Sequence, residues 1–135
     1  MPPILRAFTA VFVGGLAGSA ARWIIDHGVT SAAGNSWPIG ILLVNLSGSF
    51  LMGFVVGHGF GRWPAWLRLG VTTGFLGSYT TLSAISLSVV LTVNTGGLDG
   101  VGIAALYATV SIVLGVTVAL WGLRLGGRRG ATVAS

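Results

Sequence analysis

The 135-residue chain contains no cysteine, no lysine and no glutamate. Without cysteine it has neither disulfides nor thiolate metal sites, and nothing in it reports the redox compartment. Acid is scarce as well: two aspartates stand against seven arginines, and charged residues make up only 7% of the chain. With 53% hydrophobic residues and a mean hydropathy of +0.92, there is too little polar surface to coat a soluble globule. The composition is that of an integral membrane protein.

A bilayer core takes roughly 20 helical residues to cross. Four apolar runs are long enough, at about 4–25, 38–60, 66–93 and 98–123, separated by short stretches carrying Gly, Pro, Asn or Arg. The first run is too long for a signal core and lacks a clustered cationic start, so it is expected to stay in the mature protein. One domain, 1–125, carries all four spans. The remainder, 126–135, is small, basic and expected to fray, with its arginines anchoring the topology near anionic lipid.

A net charge of +5 would suggest nucleic acid on a soluble protein, but the arginine positions argue otherwise. Arg6 opens the first span, Arg62 and Arg68 flank the turn between spans two and three, and Arg124, Arg128 and Arg129 follow span four. In a four-span chain these regions share one side. The opposite side receives 26–37 and 94–100, which hold both aspartates and no arginine. By the positive-inside rule both termini are expected to be cytoplasmic, and the expected location is the cell membrane.

Small and polar residues recur every four positions: Ala10, Gly14, Gly18 and Arg22 in span one; Asn45, Ser49, Gly53, Gly57 and Gly61 in span two; Tyr107, Ser111, Gly115 and Ala119 in span four. Such stripes let helix backbones approach closely where lipid offers no hydrophobic drive. Arg22 lies about 24 Å along a helix from Arg6, where it either snorkels to the far interface or meets a buried partner. Asn45 is too short to snorkel, so its amide serves as interhelical glue or lines a pore. Tyr107 and Ser111, one turn apart, put two hydroxyls on one face of span four.

Span three holds the densest polar cluster, "GFLGSYTTLSAIS" at 74–86. As one helix, 66–93 would be about 42 Å long, more than the hydrocarbon thickness. Tilt could absorb the excess, with Ser and Thr bonding back to their own helix. A break at Gly77, Ser78, Tyr79, Thr80, Thr81 and Ser83 is the other reading. It would free carbonyls for a hard cation and aim a half-helix N-terminus at an anion.

The blocks "VGGLAGSAARW" (13–23), "PIGILLVNLSGSFLMGFVVG" (38–57) and "GVTTGFLGSYTTLSAIS" (70–86) resemble the signature blocks of the CrcB/Fluc fluoride channel family, in order and spacing over nearly the whole chain. The second block, with Val44-Asn45, Gly48-Ser49-Phe50 and Gly53, is the most specific. The resemblance implies an all-α membrane fold of four transmembrane helices with the third broken at mid-membrane, paired as an antiparallel dimer with two fluoride pores at its interface. It implies a structural sodium ion at the dimer centre, held by backbone carbonyls that match Gly77 and Thr80. It also implies an anion path past Asn45, Thr81, Ser83, Tyr107 and Ser111, and matches Arg22 to the arginine of the first block.

One departure stands out. Where the family's third block carries two phenylalanines, whose electropositive ring edges face the passing anion, this chain has Leu82 and Ile85, with Ala84 between them. Aliphatic side chains cannot compensate the dehydration of fluoride in that way. Together with the single arginine bias, this suggests one half of a heterodimer whose second, oppositely oriented subunit supplies the rings. The expected function is passive export of fluoride from the cytoplasm, which relieves its toxicity.

A non-conducting scaffold or regulatory subunit is an alternative. A four-span multidrug transporter fits less well, because there is no intramembrane carboxylate to couple protons. An enzyme is least expected, since His27 and His58 form neither a metal set nor a triad. Beyond fluoride, the second subunit and the bilayer, no nucleic-acid partner is expected. Reporter fusions at either terminus should read out as cytoplasmic; a mixed population of orientations would contradict the arginine argument.

Overall fold

The computed structural model describes residues 1–34, 39–61 and 63–133, with the side chains of 95, 97, 98 and 128–133 left aside. Pro38, Arg62 and the charged groups of Arg128 and Arg129 therefore lie outside the described residues. The elements are α1 (Pro3–Ala32), α2 (Ile39–His58), α3 (Ala65–Leu69), a π-helical segment (Gly70–Leu76), α4 (Gly77–Tyr79) and α5 (Leu82–Val133). The described residues are all helical apart from turns, and four stretches are long and apolar enough to cross a membrane: Pro3–Ala32, Ile39–His58, Ala65–Asn94 and Asp99–Gly127.

The first helix runs past residue 25, through the polar group expected to begin the loop. Asp26 and His27 remain helical because each finds a partner on its own helix. The Thr30 hydroxyl donates to Asp26 Oδ1 at 3.3 Å, and the His27 ring stacks on Trp23 at 5.5 Å. Helix α1 ends at Ala32, and after the cap residue Ala33 the chain turns at Gly34, whose φ of +77° suits a residue without a Cβ. Gly59 stops α2 in the same way, with φ +74°.

Helical backbone is continuous from Leu82 to Val133, yet it is not one rod. Leu82 and Ser111 line the same groove, although a straight helix would hold them about 44 Å apart. The bend lies just before span four, where the backbone at Gly100 sits against the Thr92 carbonyl. At its other end α5 stays helical beyond 123 and through the tail expected to fray, with Gly126 packed on Phe54, Gly57 and His58 of α2.

Two glycine seams assemble the bundle. Span four packs parallel to α2: Gly53 meets the Ala119 carbonyl, Gly57 meets that of Leu123, and Gly122 rests on Phe50. In the same manner α1 packs against the π-helical segment, with Gly14 on the Gly70 carbonyl, Gly18 on the Phe75 carbonyl and Gly74 on Val11. A Cβ at any of these glycines would collide with backbone of the neighbouring helix, so the stripes seen in the sequence set the interaxial distance. Between the seams, Gly40 at the start of α2 abuts Asp26 of α1.

Much large apolar surface remains uncovered, including Phe8, Phe12, Trp23, Leu82 and Trp121, each more than 60% exposed. That is the surface of a multi-pass membrane protein, whose outer face meets lipid tails or another chain. Gly18→Val should lower unfolding stability in detergent by about 1–3 kcal/mol, because neither backbone can yield. Gly28→Ala, where a Cβ meets nothing within 4 Å, should be neutral or gain up to about 1 kcal/mol. Equal effects of the two substitutions on thermal unfolding would contradict the seam.

Candidate functional site

The site forms where two residues of the third span leave the helix. Thr80 is extended, with φ −78° and ψ 150°, and Thr81 precedes the new helical start at Leu82. In an unbroken helix the Thr81 N–H would bond the Gly77 carbonyl. Here it donates instead to Asn45 Oδ1 at 2.7 Å, while Asn45 Nδ2 donates to the Thr81 carbonyl at 3.0 Å. One side-chain amide thus stands in for a missing stretch of helix.

Neighbouring groups complete the arrangement. The Thr80 N–H and hydroxyl both donate to the Leu76 carbonyl, at 3.1 and 3.0 Å. The Thr81 hydroxyl caps α5, accepting from the Ala84 N–H at 3.4 Å and pairing with the Ser83 hydroxyl at 2.9 Å. Arg22 Nε donates to the Ser78 carbonyl at 3.3 Å, so the arginine meets a carbonyl of the interrupted span. Tyr79 is buried, its ring stacked on Phe75 at 5.9 Å and its hydroxyl 2.9 Å from that of Ser47. Gly48 makes room for all this, since a Cβ there would strike the Thr80 methyl and the Tyr79 ring.

Beside the interruption runs an open groove of about 350 Å³. Its polar lining comes from Asn45, Ser49, Thr80, Thr81 and Ser111, and its apolar lining includes Leu82, Ile85, Ile112 and Val116. The structure thus brings Asn45, Thr80, Thr81, Ser111, Leu82 and Ile85 together. Leu82 is 70% exposed while Ile85 is buried. Tyr107 lines a neighbouring apolar cleft with Ile39, Leu42 and Ile103, its side chain in hydrogen-bond contact with Ser111 of the groove. Ser83 is exposed on the first turn of α5, and Gly77 is exposed at the start of α4.

Hydroxyl count overstates what the groove can donate. Ser111 gives its proton to the Tyr107 carbonyl at 2.7 Å, and Thr80 gives its own to Leu76. The second Asn45 N–H remains available, as does the Ser49 hydroxyl, one turn further along the same face of α2. Ser49 was legible in the sequence only as a member of a small-residue stripe; its i+4 spacing from Asn45 is the signal that places it in the groove. The arrangement can hold a small ion or a file of water through one amide, one hydroxyl and a capped helix start.

The class defined so far is a four-span helical membrane protein with a polar groove beside an interrupted helix. The profile of the CrcB-like protein family (Camphor Resistance) matches residues 9–123. The chain is 36% identical over 115 residues to a protein of Moorella thermoacetica named fluoride-specific ion channel FluC 2, covering 85% of this chain and 91% of the relative. It is 42% identical over 121 residues to another of that name from Nitrobacter hamburgensis, covering 87% and 94%. A fluoride-specific ion channel FluC of Bordetella petrii is 39% identical over 110 residues, covering 79% and 84%. The chain belongs to the CrcB-like family.

Replacing Asn45 with Leu should leave the Thr81 N–H unpaired, at a cost of about 1–3 kcal/mol, while the Thr81 carbonyl keeps the backbone donor that the first turn of α5 gives it. Hydrogen exchange at the Thr81 amide should accelerate in the Asn45→Leu protein; unchanged protection would show that the amide does not hold the interruption.

Proposed function

We propose that this protein is a subunit of a fluoride-specific ion channel that passively exports fluoride from the cytoplasm across the cell membrane. The observation that carries the reading is the polar groove beside the Thr80–Thr81 interruption, in a chain whose relatives bear fluoride channel names. Asn45 and Ser49 offer donors to an anion there, and the α5 N-terminus adds a favourable dipole end. Fluoride released in the cytoplasm from entering hydrogen fluoride would leave down the membrane potential, which contributes about 2.3 kcal/mol per charge per 100 mV. No carboxylate lies in the groove lining, so the path needs no proton coupling.

The groove is open on one side, and a second CrcB-like subunit in the opposite orientation would close it. Two features favour a partner distinct from this chain. Leu82 and Ile85 line the groove with hydrocarbon where the resemblance leads one to expect rings, and the six arginines on one side of the spans favour a single orientation. Both termini are then cytoplasmic. Several relatives carry the designation FluC 1 or FluC 2, which fits paired subunits.

A structural sodium ion at the centre of the dimer agrees with the donor chemistry on this chain. Sodium is a hard cation that takes oxygen ligands. The interruption withdraws the Thr81 N–H from the Gly77 carbonyl and turns the backbone at Thr80 out of the helix. Gly77 and Thr80 are the residues that would hold the ion, which would supply fixed positive charge between the two chains.

Fluoride efflux from liposomes tests the reading. Efflux should be weak with this chain alone and robust after co-reconstitution with a homologous subunit of opposite arginine bias. Robust efflux by this chain alone would overturn the need for a distinct partner. Absence of efflux with a matched partner, despite a stable complex, would favour the scaffold reading instead.

A further inference from the structure

We propose that the cleft between α1 and α3 seats one anionic phospholipid, with its phosphate on Arg6 and an acyl chain along Ala10 and Val13. The cleft measures about 420 Å³ and is lined by Met1, Arg6, Thr9, Ala10, Val13 and Trp66. It lies away from the polar groove and shares no residue with it. Arg6 sits in the first turns of α1 and Trp66 in the first turn of α3, so the guanidinium and the indole stand level at the same end of the bundle. That is the end where the arginines gather. An indole at this height marks the headgroup region.

Charge decides the occupant. Asp26 and Asp99 are the only acidic residues of the chain. Asp26 is about 30 Å further along α1, and Asp99 follows the third span at its opposite end. Neither can reach Arg6, so no acidic side chain of this protein neutralises its guanidinium, and a lipid phosphate suits it. The remaining wall is hydrocarbon: Val13 is 56% and Trp66 40% exposed, and the Thr9 hydroxyl turns back to donate to the Leu5 carbonyl at 2.9 Å. A cation above an apolar slot, on the leaflet side where anionic lipid is abundant, complements a phosphate above an acyl chain. A zwitterionic lipid satisfies the slot but gains less from Arg6.

The test uses the full chain in phosphatidylcholine vesicles carrying increasing fractions of brominated-chain phosphatidylglycerol or brominated-chain phosphatidylcholine. The Trp66 contribution to fluorescence is obtained by subtracting the Trp66→Phe protein. Brominated phosphatidylglycerol should quench Trp66 at about fivefold lower mole fraction than brominated phosphatidylcholine, the preference expected of one arginine near the surface. Arg6→Gln should equalise the two lipids, and Arg124→Gln should leave the fivefold preference in place. Val13→Phe, which fills the slot and keeps the charge, should reduce quenching by both. Equal quenching in the unmodified protein, or a preference that survives Arg6→Gln, would overturn the proposal. So would failure of either lipid to quench Trp66, the result expected if a second copy of the chain covers the cleft.

Discussion

The exchange between the Asn45 amide and the Thr81 backbone is the interaction on which the rest of the arrangement depends. Inside a hydrocarbon layer a backbone N–H or carbonyl without a partner costs several kcal/mol, so helices there are not interrupted without compensation. Asn is the smallest side chain that carries both a donor and an acceptor in a plane matching the peptide group. Held by α2, it supplies the acceptor that the Thr81 N–H forgoes by leaving the helix and adds a donor to the Thr81 carbonyl. Once that is fixed, the Thr81 hydroxyl caps α5, the Gly77 carbonyl is released from its helical donor, and Ser49 lies beside the opening. A single substitution at Asn45 therefore reaches both the backbone and the groove, which makes purely ionic explanations of its effects incomplete.

Glycine makes the clamp possible. Gly48 brings α2 within reach of Tyr79 and Thr80, while Gly53 and Gly57 draw span four onto the same helix. On the other flank, Gly14 and Gly18 let α1 lie directly on carbonyls of the π-helical segment. The two seams fix the interrupted span from both sides, and Arg22 adds a bond to Ser78 at the point where the seam with α1 ends. Dispersion between closely approaching backbones is the main association force available in lipid. The many exposed apolar side chains are then the outer surface of a structure whose cohesion resides in small residues.

Span number, the polar cluster of the third span and the close-packing stripes were legible in the sequence because each follows from local chemistry: hydrocarbon length, hydroxyl density and four-residue spacing. Partner choice was not. Asn45 could be read as glue or as pore lining, and the structure shows its carbonyl and one N–H engaged with Thr81 while the other N–H remains available. Tyr107 and Ser111 share a helix face by spacing and their side chains are in hydrogen-bond contact, though Ser111 lines the groove and Tyr107 a neighbouring cleft. The helical continuation through Asp26 and His27 is not legible from polarity, which marks loops and helix ends alike; it rests on Thr30 and Trp23, which supply partners one turn away. The π-helical segment has no counterpart in periodicity, since an extra residue in one turn leaves the composition of the stretch unchanged.

The aliphatic pair at 82 and 85 shows why groove chemistry and groove shape must be considered separately. Ile85 is buried and Leu82 is mostly exposed, so although both touch the groove they are not equivalent. The buried residue contributes to the packing that holds the start of α5 in place, a role that shape alone can satisfy. The exposed one presents hydrocarbon outward from the first turn of α5, beside the Thr81 cap. An anion approaching that cap meets the amide of Asn45 on one wall and no complementary group from Leu82 on the other. Desolvation of a small anion is tolerated only where donors replace its water on several sides. In the proposed channel the donors missing from this wall would come from a facing surface, so that reading depends on the open side of the groove as much as on its polar lining.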